Sequence, residues 1–455
     1  MIVTVNPATG EELHRYDELD EAGIDRALDR AADAFGRWRR SPLEERTALL
    51  ARLAGVYEGN IDRLARQASL EMGKTFASAK AEVAKCAALF RHLAENGPAM
   101  LEPEVWSLPD GARAEGHWLP LGPVLAVMPW NFPYWQVVRF LAPTILAGNV
   151  GLLKHASSVQ GVAALLEEMM GEAGAPEGLF QNLPIRARAV EGIIADDRVV
   201  AATLTGSEGA GAAVAEAAGR HLKKVVLELG GSDPFIVMPS ADLDDAVRNA
   251  VRARIQNTGQ SCICGKRMIV HGEIYDAFLE RFVDAMAQVR AGDPFDEASD
   301  MGPLSSAEQR DTVLKQVATA REEGATVVLE PRAPDGPGAY LTAGVLTDVP
   351  PDSATARDEI FGPVAQVCRA ADIDEAIARA NDIPFGLGSS VWTQDSGEQD
   401  RFIREIEAGM TAVNQVLASD VRAPFGGTKK SGHGRELSEH GLREFMNLKT
   451  VMLPR

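Results

Sequence analysis

The sequence predicts an α/β protein made of two parallel-sheet domains and a small paired-strand element. Three observations predict it. From residue 124, continuous apolar runs of six to eight residues alternate with helical patterns. Strands buried on both faces belong in a parallel sheet covered by helices. A second alternation of the same kind starts near residue 232 and runs to about 415. Residues 107–123, "SLPDGARAEGHWLPLGP", hold a Pro-Asp-Gly turn between short segments, which reads as a projecting hairpin.

The elements follow in order. The first hundred residues read as helices. In "SPLEERTALLARLAGVYEGN", Ser41 stands as N-cap, Pro42 at the first helical position and Glu44 where a capping box closes. Asn60 is placed to cap the next helix and Gly73 to end it. Strand 124–129, helix 134–147, strand 150–155 and helix 158–173 come next, then strand 199–206, helix 208–220 and strand 224–231. Helix 242–257 leads into "NTGQSCICGKRMIVHG", and the tail "NLKTVMLPR" reads as a last strand. The expected division is 1–106 with 124–230 as one domain, 231–439 as the other, and 107–123 with 440–455 as the paired-strand element.

Composition narrows the function. The chain has 455 residues, 45% of them apolar, as in a globular protein with a sizeable core. A net charge of −19 opposes binding to nucleic-acid phosphates. No apolar run is long enough for a membrane-spanning helix, so no membrane partner is expected. "MIVTVNPATGEEL" lacks the basic and apolar segments of a signal peptide. Four cysteines do not make a disulfide framework, and a reducing cytoplasm fits them. Cys86 and Cys368 lie in apolar patterns and read as small buried hydrophobes. Cys262 and Cys264 lack the spacing and partners of a metal site, so no metal is expected.

Some residues have the chemistry of a site, and each also has a plainer reading. Cys262 follows Gly259 on a loop between a helix and a strand, where a thiol can be exposed and reactive. It can equally be a packing residue. Glu228 ends an apolar strand beside two glycines. Burial there would raise its pKa and suit a general base; the alternative is a carboxylate reaching solvent. Asn131, in "PWNFPYWQVVRF", offers an amide donor for an oxyanion or simply turns the chain. "TGSEGAG" (205–211) is a strand-to-helix turn of phosphate-binding kind, although Ser207 fills the middle glycine of GxGxxG. Lys154 ends a strand where it can reach a ribose or phosphate, or remain solvated.

Together the segments resemble the aldehyde dehydrogenase superfamily. "PWNFP", the Gly-Ser of the 205–211 turn, "ELGG", "NTGQSC", "EIFGP" (359–363) and "PFGG" (424–427) occur in the family's order across the whole chain. "LELGGSDPFIV", "KKSGHGREL" and the Lys-His-Ala at 154–156 look like its succinate-semialdehyde dehydrogenase branch. The resemblance implies NAD(P)-dependent oxidation of an aldehyde to an acid. Cys262 matches the nucleophile that forms a thiohemiacetal and then a thioester. Asn131 and the Cys262 N–H match the oxyanion donors, and Glu228 matches the base that activates water. Lys154, Ser207, Glu359 and Phe361 match cofactor-binding positions, with Trp130, Gly206, Leu229 and Gly230 lining the channel. Ser157 stands where a carboxylate would repel a 2′-phosphate, so NADP is expected to be accepted alongside NAD.

For a substrate bearing a carboxylate, Arg139 matches an anchoring arginine of the branch. Gln256 replaces a second arginine, and Arg422 is the residue that compensates if it points inward. Cys264 is either packing or a redox partner able to capture oxidised Cys262. The family's strand pairing between subunits implies a homodimer or homotetramer. Three other readings stand beside this one: an aldehyde dehydrogenase of another substrate class, a nucleotide-independent cysteine acyl-transferase or thioesterase, and a retired dehydrogenase kept as a binding protein.

Overall fold

The alternation after residue 123 folds into a six-stranded sheet in the chain's computed structural model, which describes residues 1–454. Strands Pro123–Met128, Val150–His155, Phe180–Asn182, Ala201–Thr205 and Lys224–Glu228 are parallel, and Gly432–His433 adds an antiparallel edge. Pro123–Met128 lies in the middle. The chain first steps outward to one side of it, then returns to build the other side with Ala201–Thr205. The strand order therefore reverses between Pro123–Met128 and Ala201–Thr205. Open α/β sheets bind ligands beyond the strand carboxyl ends at such a reversal. Trp130, Asn131, Gly206 and Ser207 all follow those two strands.

The second alternation gives a seven-stranded sheet, parallel except for its edge strand Thr326–Leu329. Its central strands, Pro234–Val237 and Arg267–His271, are buried or nearly so along their length. Helix Trp135–Ala147 is buried at every position, so it packs inside the molecule. Three residues of that helix, Gln136, Arg139 and Thr144, bring polar groups into the interior.

The third sheet has the order Met446–Leu453, Arg113–Pro120, Glu104–Ser107, all antiparallel. The hairpin thus begins at Glu104, three residues before the expected 107, and the tail pairs with it along eight residues. Arg455, the last residue of the expected element, lies outside the described residues. Val105, Trp106, Leu448 and Met452 leave apolar side chains exposed on this sheet.

The start of the chain departs from the all-helical expectation. Ile2–Val5 and Glu12–Tyr16 form a hairpin ahead of the four helices. The β-branched run Ile-Val-Thr-Val alternates buried and exposed, which is strand periodicity. Ser41 is not the N-cap. Helix Leu43–Gly59 begins after Pro42 with no side-chain cap, because the Ser41 hydroxyl donates to the Trp38 carbonyl and accepts from Arg46 Nε. Asn60 precedes the next helix, but its amide donates backwards to the Val56 carbonyl and to Glu172. Gly73 ends that helix in the left-handed region, at φ 85°. Among the described residues no helix is long and apolar enough to cross a membrane, and no acidic, His or Cys cluster has the shape of a metal site.

Candidate active site

The loop before Cys262 is strained and firmly held. Asn257, Thr258 and Gly259 are all left-handed, at φ 53°, 57° and 73°. A β-branched residue there costs about 1–3 kcal/mol and persists only where its surroundings over-determine it. The surroundings do so. Asn257 Nδ2 donates to the carbonyls of Asn131 (2.8 Å) and Gln260 (3.1 Å), and Thr258 Oγ1 donates to Gly302 O (3.2 Å). Buried Arg254 donates to the carbonyls of Gly259, Ile360 and Gly362, tying this loop to the "EIFGP" loop. Gly259 must be glycine twice over: its φ is positive, and a Cβ would overlap the Gly362 backbone. Past the cysteine, Lys266 Nζ donates to the carbonyls of Ser261 (2.8 Å) and Cys262 (2.7 Å) and pairs with Glu359 at 2.9 Å.

Cys262 stands where two cavities meet. One, of about 360 Å³, is lined by Trp130, Asn131, Gly206, Glu228, Glu359 and Phe361, with Ser207, Leu229 and Gly230. The other, of about 170 Å³, holds Phe132, Trp135, Arg139, Gln256 and Phe425 among its walls. Cys262 and Gln136 belong to both. A side chain shared in this way can touch a ligand from either side.

Three groups at the junction have reactive chemistry. Burial pushes the Cys262 thiol up to about 12, opposed by the positive charges of Lys266 and Arg139. Glu228 is buried at the end of its strand, and neither carboxyl oxygen has a hydrogen-bond partner among the described residues. Burial raises its pKa well above the usual carboxylate value, and the nearby Glu436 charge adds to the rise. One N–H of the Asn131 amide donates to Gln260 O at 3.0 Å, leaving the other free. The Cys262 N–H is not taken by another backbone carbonyl among the described residues.

The larger cavity has the lining for the nicotinamide and phosphate portion of a dinucleotide. It opens at the sheet's reversal point. Ser207 caps helix Glu208–Arg220 by accepting from Ala210 N (3.4 Å), so free N–H groups of that helix end face the turn. Trp130 and Phe361 meet edge to face at 5.7 Å and supply flat apolar walls. At Gly230 a Cβ would stand 2.6 Å from Glu359 Oε2, so only glycine lets that carboxylate lie across the channel. Lys154 and Ser157 do not line this cavity. They lie at the carboxyl end of the adjacent strand Val150–His155, Lys154 half-buried with its amine pKa lowered by burial.

On the smaller cavity, the structure treats the three expected substrate residues differently. Arg139 lines it, but its guanidinium is paired with Glu436 at 2.6 Å, bonded to Gln136 and stacked over Phe425. Gln256 lines it as well, with its Oε1 unpaired. Arg422 does not point inward: it is 75% exposed and paired with Asp420 at 2.7 Å. Asp420 is only two residues away and offers a bidentate grip, which holds the guanidinium outside. Cys264 is buried with its thiol 3.5 Å from the Gln256 carbonyl, and both it and Cys262 are free thiols. Gln136, Lys266 and Glu436 lie inside quoted segments and Arg254 in the helix before one, but nothing in the sequence singles them out. Each finds its partner through the fold.

Known proteins give the same reading of the chain. The aldehyde dehydrogenase family's profile matches residues 1–451. A succinate-semialdehyde dehydrogenase [NADP(+)] 1 of Mycobacterium tuberculosis is 50% identical over 454 residues, covering 99% of each chain. One named succinate-semialdehyde dehydrogenase [NADP(+)] from Mycobacterium avium is 51% identical, covering 99% of this chain and 96% of the relative. The crystal structure of succinic semialdehyde dehydrogenase from Streptococcus pyogenes in complex with NADP+ superposes over all of both chains, with a TM-score of 0.98 and 38% identity. The chain belongs to the aldehyde dehydrogenase family.

Proposed function

We propose that this protein oxidises succinic semialdehyde to succinate with NADP, as a homodimer or homotetramer in the cytoplasm. The observation that carries the proposal is the place of Cys262, at the junction of a cavity lined for the nicotinamide end of a dinucleotide and a smaller one. The names of the relatives supply the substrate and the cofactor. The 170 Å³ cavity is smaller than drug-sized pockets and suits a short-chain metabolite.

The roles follow from the chemistry. Cys262 gives its proton to water in the cavity it shares with Glu228, and its sulfur attacks the aldehyde carbon, the carbonyl π bond opening as the C–S bond forms. The oxyanion is held by the free Asn131 N–H and the Cys262 N–H. When bound, the nicotinamide supplies the two-electron acceptor that turns the thiohemiacetal into a thioester. Glu228, with both oxygens unpaired, takes a proton from water as that water attacks the thioester. The C–S bond breaks, and the thiolate and the free acid are released. Ser207 and the helix end behind it would hold the pyrophosphate, and Glu359 the nicotinamide-side ribose. Lys154 and Ser157 would face the adenosine ribose, where the absence of a carboxylate admits a 2′-phosphate. Residues 1–106 with 124–230 serve the cofactor, 231–439 the chemistry, and 107–123 with 440–455 assembly.

The test is direct. Purified protein mixed with succinic semialdehyde and NADP should produce reduced-nicotinamide absorbance. Replacing NADP with NAD should lower kcat/KM without abolishing it. A preference for NAD of more than about a hundredfold, roughly 3 kcal/mol, would overturn the cofactor assignment. Cleavage of thioesters with no nucleotide dependence, and no aldehyde oxidation, would favour the acyl-transferase reading.

A further inference from the structure

Among the described residues the smaller cavity contains one cation without a counter-ion, and it is not an arginine. Ser78, Ala81, Glu82 and Lys85 line it from one face of helix Phe76–Met100, at the spacing of successive helical turns. Glu82 is ion-paired with Lys74 and accepts the N–H groups of Tyr134 and Trp135 (2.8 and 2.9 Å). Arg139 is neutralised by Glu436, and Asp420 by Arg422. Lys85 makes no ion pair among the described residues. Its Nζ donates to Ser419 Oγ at 2.6 Å and lies 4.5 Å from the Trp135 ring centroid.

We propose that Lys85, with Ser419, is the anchor for the distal carboxylate of the substrate, in place of an arginine pair. The proposal rests on the carboxylate-bearing substrate inferred above. An ammonium has three N–H groups, and Ser419 uses one, leaving two for a carboxylate. The Ser419 hydroxyl, already accepting from Lys85, keeps its own O–H to donate to the same group. Charge balance also favours this site. Arg139 could take a second carboxylate only by sharing with Glu436, which would crowd two negative charges in a buried space. Burial lowers the Lys85 pKa to about 8, which leaves the amine mostly charged at neutral pH, and an incoming carboxylate would favour that form further. Gln256 and Phe425 then form uncharged walls around the chain between the two ends of the substrate.

The experiment compares succinic semialdehyde with butanal, an uncharged aldehyde with the same number of carbons. Lys85→Met keeps the aliphatic stem and removes the charge. Its KM for succinic semialdehyde should rise about ten- to a hundredfold, with kcat and butanal kinetics nearly unchanged. Butanal turnover reports that the variant is folded. Ser419→Ala, at a half-buried loop position, is the second variant and should raise the same KM about two- to tenfold. An unchanged KM in either variant that still oxidises butanal overturns the assignment. The wild-type enzyme separates the two inferences. If it shows no preference for succinic semialdehyde over butanal, the substrate reading itself fails. If the preference exists and survives Lys85→Met, only the anchor is wrong.

Discussion

Glu228 stores a liability that the fold keeps for its chemistry. Its carboxyl is buried without a hydrogen-bond donor, and its pKa is raised by burial and by Glu436. A carboxyl whose folded pKa lies above its unfolded value holds more protons in the folded state, so stability falls as pH rises through the unfolded value of about 4.3. The loss continues until the folded pKa is passed. Glu228→Gln should therefore melt higher than wild type near pH 7, and the gap should close as pH approaches 4. The same variant should lose about 10²–10⁴-fold in turnover. Equal melting temperatures at both pH values would show that the carboxylate is compensated. Cys262, Glu228 and Asn131 could be picked out in the sequence because each sits in a short run with its turn residues. Lys266, Arg254 and Lys85 could not, because the residues that give each cation its place, Glu359, Gly362 and Ser419, are far away in the sequence. Arg422 shows the opposite failure: its neighbour Asp420 was in plain view in the sequence and decides where it points.

At the scale of elements, apolar runs and helical periodicity located most of the two sheets. Helix 208–220 and strand 150–155 have the expected limits, since a capping serine opens the one and an apolar run begins the other. Ends set by tertiary contacts were less legible. The strand expected over 224–231 stops at Glu228, where Leu229 N turns to the Ser431 carbonyl. The helix expected to reach 257 stops at Ile255, because Asn257 and Thr258 adopt left-handed conformations that only the surrounding hydrogen bonds can hold. That loop is the most constrained element of the site. Gly259→Ala should abolish most activity and destabilise the protein by about 1–3 kcal/mol, read by denaturant unfolding. Normal stability and turnover in this variant would mean the loop can relax away from Gly362.

For the whole molecule, the three-stranded sheet has to be explained. It projects two edge strands, Glu104–Ser107 and Met446–Leu453, and leaves Val105, Trp106, Leu448 and Met452 exposed. Such edges invite pairing with another chain. Sedimentation should show a dimer or tetramer at micromolar concentration, and ending the chain before Met446 should yield smaller species. A full-length monomer of 48.7 kDa would contradict the assembly. The fold also places two cavities on either side of one thiol, and the account depends on that thiol becoming acylated. The measurement that tests it most directly is the intact mass of Glu228→Gln protein quenched after mixing with succinic semialdehyde and NADP. The account predicts one succinyl group on Cys262, accumulating with one reduced nicotinamide per subunit. Nicotinamide reduction with an unmodified Cys262, or full turnover by Cys262→Ala, would contradict it.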